Sequence, residues 1–179
     1  MQPVSDEALV DQIAQGDSAS LNIIMQRYKR PLFRFILRYV GNPTLAEDLL
    51  QETFTKLYFS AATYRSEHRF STWLFQIAIN LCRDHHRRQK IRRFFTLETV
   101  TETLFSEENP ETSMQSEQSL RHIYQAIESL PHKLKTALIL FTLEGYSQEE
   151  CAQLLGVTAK TIETRVYRAR KQLEKKIPL

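Results

Sequence analysis

The chain is poor in the residues that make turns and cross-links. Four glycines and six prolines among 179 residues are too few for a sandwich or barrel, whose short strands need a turn every few residues. Two cysteines, Cys82 and Cys151, cannot frame a disulfide scaffold, and both sit in helical patterns where a small core residue fits. No apolar run approaches the ~20 residues needed to span a bilayer. The first residues, MQPVSDEALVDQ, are acidic and lack the apolar core of a signal peptide. A soluble, cytoplasmic protein without membrane insertion is expected. Ligand sets are missing as well. His85 and His86 are adjacent and so point different ways on a helix, while His68, His122 and His132 are scattered. There is no glycine-rich phosphate loop and no nucleophile elbow. Catalysis, a metal site and a cofactor are therefore not expected.

What is present is 42% hydrophobic residues, enough for a core, and a segregated charge. Residues 1–93 hold 14 Lys/Arg against 9 Asp/Glu, residues 94–118 hold 6 Glu and no Lys/Arg, and residues 119–179 hold 10 Lys/Arg against 6 Asp/Glu. Two basic segments flank an acidic one, which suggests two contacts with nucleic acid. The acidic stretch, FFTLETVTETLFSEENPETSMQSEQ, has weak periodicity and many Ser, Thr and Glu, and reads as a flexible linker. The expected units are residues 1–93, a linker 94–118 and residues 119–179.

Apolar spacing predicts helices throughout. The first starts after Ser5 and buries Leu9, Val10 and Ile13. A second begins at Asp17 or Ser18 and runs to about Tyr39, with Pro31 expected to kink or break it. The third runs from Thr44 to about Ala62 on Leu45, Leu49, Phe54 and Leu57, and Thr63 to Arg69 form a polar loop. A fourth begins near Ser71. Past the linker, Ser119 is placed to cap a helix on Leu120, Ile123, Ile127 and Leu130, and Pro131 to open another on Leu134, Ala137, Leu138 and Phe141. No segment alternates like a strand, so the fold class is all-α, two small helical units.

Ser147 to Arg170, SQEECAQLLGVTAKTIETRVYRAR, carries the most information. Ser147 and Glu150 have the spacing of a capping box. Gly156 suits a left-handed helix end, and Thr158 can cap the next helix. Ile162, Val166, Ala169 and Leu173 give that helix a buried face, which leaves Lys160, Thr161, Glu163, Thr164, Arg165, Tyr167 and Arg168 pointing elsewhere. This is the pattern of a DNA-binding helix-turn-helix. The plain alternative is a capped helical hairpin.

Two further constellations stand out. In AEDLLQETF, Ala46 to Phe54, the residues Asp48, Gln51 and Glu52 share one helix face. Those side chains suit an acid/base pair or metal ligands, but nothing nearby completes such a site. A solvated face and a docking surface for a basic partner stay open. The fourth helix ends in RDHHRRQKIRR, where Arg83, Arg87, Arg88, Lys90, Arg92 and Arg93 oppose Asp84. Six cations in eleven residues suit a phosphate backbone. Tyr64, Phe70, Trp73 and Phe75 lie upstream, where aromatics could stack on unpaired bases. Phe75 reads as core, and Trp73 fits either role. Asn80 fits a base edge or a simple surface amide.

These pieces, AEDLLQETF, FSTWLFQIAINLCRDHHRR and LPHKLKTALILFTLEGYSQEECAQLLGVTAKTIETRVYRARKQL, resemble in order the bacterial extracytoplasmic-function (ECF) sigma factors, sigma-70 family. The match spans domain 2, a linker and domain 4, with no domain 3. The resemblance implies a subunit that binds core RNA polymerase, through the β′ coiled coil and the β flap, and directs it to particular promoters. It assigns Asp48, Gln51 and Glu52 to the β′ contact. It assigns Tyr64, Arg65, Trp73 and Asn80 to melting and capture of the −10 element, with Arg83, Arg87 and Arg88 on phosphates. By the same resemblance, Glu163, Thr164 and Tyr167 face −35 bases, and Lys160, Arg165 and Arg168 suit phosphates, with Thr161 beside them. Glu163 departs from the family, where a basic residue is common. A Glu accepts from cytosine N4 and repels phosphate, so a known −35 consensus does not transfer. Control by an anti-sigma factor is also implied.

Two other classes compete. A ligand-sensing regulator with a C-terminal helix-turn-helix would need a pocket or a receiver-like domain. A nuclease-like enzyme would need a carboxylate set that these residues do not assemble.

Overall fold

The computed structural model describes residues 4–65, 69–95 and 122–177, with side chains described as far as Gln89 in the second of these segments. Among them every regular element is helical. The first four helices are α1 (Asp6–Ala14), α2 (Ser18–Val40), α3 (Pro43–Ser60) and α4 (Phe70–Phe95). Residues 122–128 form α5. Then come α6 (His132–Leu138), a π-helical turn (Ile139–Leu143), α7 (Gln148–Leu155) and α8 (Ala159–Glu174).

Local chemistry explains most boundaries. Ser5 accepts from the Ala8 amide at 3.2 Å and starts α1. Asp17 takes the Ala19 and Ser20 amides at 3.0 and 3.2 Å and starts α2. Asn42 accepts from Leu45 at 2.9 Å with Pro43 in the first turn of α3, where a missing N–H costs nothing.

Three expectations need correction. Pro31 does not break α2, which is unbroken from Ser18 to Val40. Ile24 lies buried before Pro31, and Leu32, Phe35 and Ile36 lie buried after it, and that packing outweighs the ~3 kcal/mol a mid-helix proline costs. The residue whose carbonyl loses its donor, Arg27, is exposed to water. Ile123 is exposed rather than on the buried face of α5, where Ala126 is buried, with Leu130 buried just past the end of the helix. Ser119 and Leu120 lie outside the described residues. Thr63 does not start the polar loop, because Ala61–Thr63 continue α3 as a 3-10 turn.

The first unit packs α2 against α1, α3 and α4, with Phe35, Leu57, Phe70 and Leu74 at its centre. The second packs α6 and α7 against α8, around Ile139, Leu140, Cys151, Ile162 and Ala169. The two units are not separate. α4 packs on α7, the π turn packs on α2, and the buried apolar cluster runs from Leu9 to Ala169.

Candidate nucleic-acid interface

The helix-turn-helix forms as the caps require. The Ser147 amide donates to Glu150 Oε2 at 2.7 Å, and the Glu150 amide donates to Ser147 Oγ at 3.1 Å. Those bonds hold the Glu150 carboxyl below its usual range. Gly156 ends α7 at φ 60°, in the left-handed region, and the next amide, Val157, bonds back to the Ala152 carbonyl at 3.0 Å. Thr158 then accepts from Thr161 at 3.2 Å and opens α8.

α8 buries Ile162, Val166 and Ala169, with Leu173 half-buried below. The opposite side presents Lys160, Glu163, Thr164, Tyr167 and Arg168 to solvent, with Thr161 and Arg165 half-buried. Tyr167 is 62% exposed, a large ring held in water. Leu134, Thr158, Lys160, Thr161, Thr164, Arg165 and Arg168 line an open groove of about 270 Å³ between α6 and α8. The first turn carries internal bonds. Lys160 Nζ meets Glu163 Oε2 at 2.9 Å, and the Thr164 hydroxyl donates to the Lys160 carbonyl at 2.9 Å. Glu163 thus neutralises a neighbour in its own helix.

On α4, Trp73 is half-buried, and its ring belongs to an aromatic cluster. Its centroid is 5.1 Å from Tyr64 and 6.0 Å from Phe70, and Phe70 meets Tyr28 edge-on at 5.5 Å. Phe70 and Phe75 are core. The cluster leaves partly open rings of Tyr64 and Trp73 beside exposed Arg65. Further along, Asn80, Arg83, Arg87 and Arg88 are all exposed. Asp84 lies 3.4 Å from Arg83 and 3.9 Å from Arg87, leaving a net positive surface. The side chains of Lys90, Arg92 and Arg93 lie outside the described residues.

Asp48, Gln51 and Glu52 are exposed on the outer face of α3, opposite buried Ala46, Leu49, Leu50, Phe54 and Leu57. Glu52 has a weak i,i+4 partner in Lys56 at 3.5 Å. The stripe ends in an exposed edge-on pair, Tyr58 and Phe59. No group of three His, Cys, Asp or Glu among the described residues could hold a metal ion.

The structure thus leaves three sets apart: the acidic-polar stripe on α3, the aromatic-basic stripe on α4 and the outward face of α8. Sequence reasoning missed the contacts that join the units. Arg69 donates to Gln153 Oε1 at 2.9 Å, Thr72 to the Gln153 carbonyl at 3.0 Å and Gln76 to the Leu154 carbonyl at 3.1 Å. Arg34 and Arg38 grip Glu144 at 3.0 and 2.6 Å. The Tyr39 hydroxyl lies 2.8 Å from His132 Nδ1, and Lys135 Nζ sits 4.3 Å above the Tyr39 ring. No local pattern marks these residues, since their partners are distant in sequence. Lys135 is buried although Lys133 and Thr136 beside it are polar, so its local sequence gives no sign of that burial.

Comparison with known proteins agrees with this layout. Residues 24–92 match sigma-70 region 2, and residues 120–173 match sigma-70 region 4. The chain is 33% identical to the ECF RNA polymerase sigma-E factor of Haemophilus influenzae, over 97% of this chain and 96% of that protein. It is 30% identical to the RNA polymerase sigma-H factor of Pseudomonas aeruginosa, over 95% and 92% of the two chains. In fold it is similar to CnrH in complex with the cytosolic domain of CnrY, at TM-score 0.64 and 22% identity over 95% of both chains. It is also similar to the sigma factor RpoE of Bartonella quintana in complex with the anti-sigma factor NepR, at TM-score 0.62 and 23% identity over 86% and 94%. With helical region 2 and region 4 units in order and end-to-end similarity to sigma-E, the chain belongs to the ECF sigma factors of RNA polymerase.

Proposed function

We propose that this sigma factor binds core RNA polymerase through α3 and reads a promoter with two separate surfaces, α4 at the −10 element and α8 at the −35 element. The observation that carries this is the presence in one chain of two unlike nucleic-acid surfaces. The face of α8 is a rigid, capped helix with exposed polar and basic groups, suited to a major groove. The face of α4 offers partly open rings next to an amide and a row of arginines, suited to an unpaired strand. A base leaving the duplex is held by stacking and by hydrogen bonds to its edges. Tyr64, Trp73 and Asn80 supply those groups, Arg65 adds a charge, and Arg83, Arg87 and Arg88 hold phosphates without reading sequence.

On α8, Glu163, Thr164 and Tyr167 face the bases while Lys160, Arg165 and Arg168 meet phosphates, and Thr161 completes the first turn. Asp48, Gln51 and Glu52 dock on the β′ coiled coil, with the β flap holding the second unit. The residue ranges 1–93, 94–118 and 119–179 are the working division of the chain. An anti-sigma factor is the proposed regulator, by analogy with the two neighbours that bind CnrY and NepR. No helix among the described residues is long and apolar enough to cross a membrane, which fits action in the cytoplasm, where polymerase and promoters are.

Run-off transcription with purified core polymerase and a genomic promoter pool tests this reading. Core-dependent initiation at defined promoters is expected. Tight duplex binding without polymerase, and no initiation with it, would favour an ordinary regulator instead.

A further inference from the structure

The outer face of α3 changes character along its length. Successive helical residues turn by about 100°. On that basis Asp48, Glu52, Thr55 and Phe59 fall within an arc of about 60°, with Gln51 and Tyr58 together on one flank. All six are exposed, while Leu49, Phe54 and Leu57 on the other side of the helix are buried. The face begins with carboxylates and an amide. It ends in two rings, Phe59 lying about 16 Å along the axis from Asp48.

Phe59 is 79% exposed, the most exposed large apolar side chain among the described residues. Its ring meets Tyr58 edge-on, with 5.4 Å between centroids, and neither ring joins the buried core. A single apolar side chain in water is ordinary and needs no explanation. Here two aromatics stand together, and they continue a polar stripe on the same face. The helix that carries them is fixed from behind by α2 and α4, so the rings are held in place before any partner arrives. A pre-organised anchor loses little freedom on binding.

Binding energy divides unequally over such a face. Exposed carboxylates stay hydrated and pair weakly, and Glu52 already has Lys56 at 3.5 Å. An aromatic ring moved from water into a partner's pocket is the common hot spot. Asp48 and Glu52 therefore set encounter and register, and the rings supply the hold.

We infer that Phe59, braced by Tyr58, is the apolar anchor of the polymerase-docking face. It seats in an apolar pocket of the β′ coiled coil, about 16 Å from the cationic groups that meet Asp48. This rests on the reading of α3 as that face, and the test separates the two.

Affinity of the full chain, labelled at its N-terminus, for purified core polymerase is read by anisotropy at low and at high salt. Phe59→Ala should weaken binding about tenfold, and by the same factor at both salt levels, because an apolar contact is not screened. Phe59→Leu should keep most of the affinity. Melting curves of both variants should match the parent's, since the ring lies outside the core. Full affinity in Phe59→Ala, with loss in Asp48→Ala plus Gln51→Ala, overturns the anchor and leaves the face standing. Full affinity in both sets removes the face and the anchor with it. A Phe59→Ala loss that vanishes at high salt overturns the apolar contact. Sedimentation of the free chain covers the other occupant. A dimer that Phe59→Ala dissolves, with polymerase affinity unchanged, makes the rings a contact between two copies and overturns the anchor.

Discussion

Lys160 Nζ lies 2.9 Å from Glu163 Oε2 across the first turn of α8, both side chains more than half exposed. The family resemblance expected a cation where Glu163 stands, and the structure places the anion against the neighbouring cation. Glu163→Gln should therefore free Lys160 for phosphate. Each additional phosphate contact steepens the salt dependence of duplex binding by about 0.9 in log–log slope. Salt titration of binding to a −35 duplex should show a slope steeper by about one for the variant. Glu163→Arg should go further and change base preference in a selection from randomised duplexes.

Asp48, Gln51 and Glu52 project from α3 with little packing of their own. Asp48→Ala and Gln51→Ala together should weaken core polymerase binding in a pull-down by tenfold or more, since each surface hot spot is worth about 1–2 kcal/mol. Thermal stability should shift by less than the ~0.5 kcal/mol typical of surface changes. An intact melting curve with lost polymerase binding marks a docking face; unchanged binding assigns these residues to a solvated one.

Much of this fold was legible because the signals are local. Ser5, Asn42, Ser147, Gly156 and Thr158 each act within four residues, and each does what its type predicts. The faces of α3 and α8 followed from spacing alone. Pro31 does not break α2 because tertiary packing on both sides of it overrides a local rule. The joint between the units was illegible for the opposite reason. Arg34 and Glu144 are more than a hundred residues apart, and nothing near either shows that a π turn will carry one to the other. Trp73 stood open between core and surface, and it is half of each.

The turn of the helix-turn-helix depends on two small features whose cost can be separated. Ser147→Ala removes the acceptor for the Glu150 amide and should cost about 1 kcal/mol. Gly156→Ala meets no atom within 4 Å of the new Cβ, but must hold φ +60°, which costs about 1 kcal/mol for a residue with a side chain. Each should lower the melting temperature by about 2–4 °C in a chain of this size. A Gly156→Ala chain as stable as the parent would mean that the left-handed turn carries no strain.

His132 makes the joint between the units sensitive to acid. It faces the Tyr39 hydroxyl from α2, Arg83 and His86 from α4, Arg165 from α8, and Lys133 and Thr136 on its own helix. Burial, then the nearby cations led by Arg83, lowers its pKa from 6.5 to about 4. The folded chain therefore holds His132 neutral, with Nδ1 free to accept from Tyr39, while the unfolded chain takes up a proton below pH 6.5. A base with a depressed folded pKa contributes its full stability above the unfolded value and loses it as pH falls toward the folded one. The parent chain's advantage in melting temperature over His132→Gln should be complete above pH 6.5 and shrink steadily down to about 4. Acidic carboxylates titrate alike in both chains, so the difference between the two curves isolates this group. A constant difference from pH 7 to pH 4 would show that His132 is not held neutral by the fold.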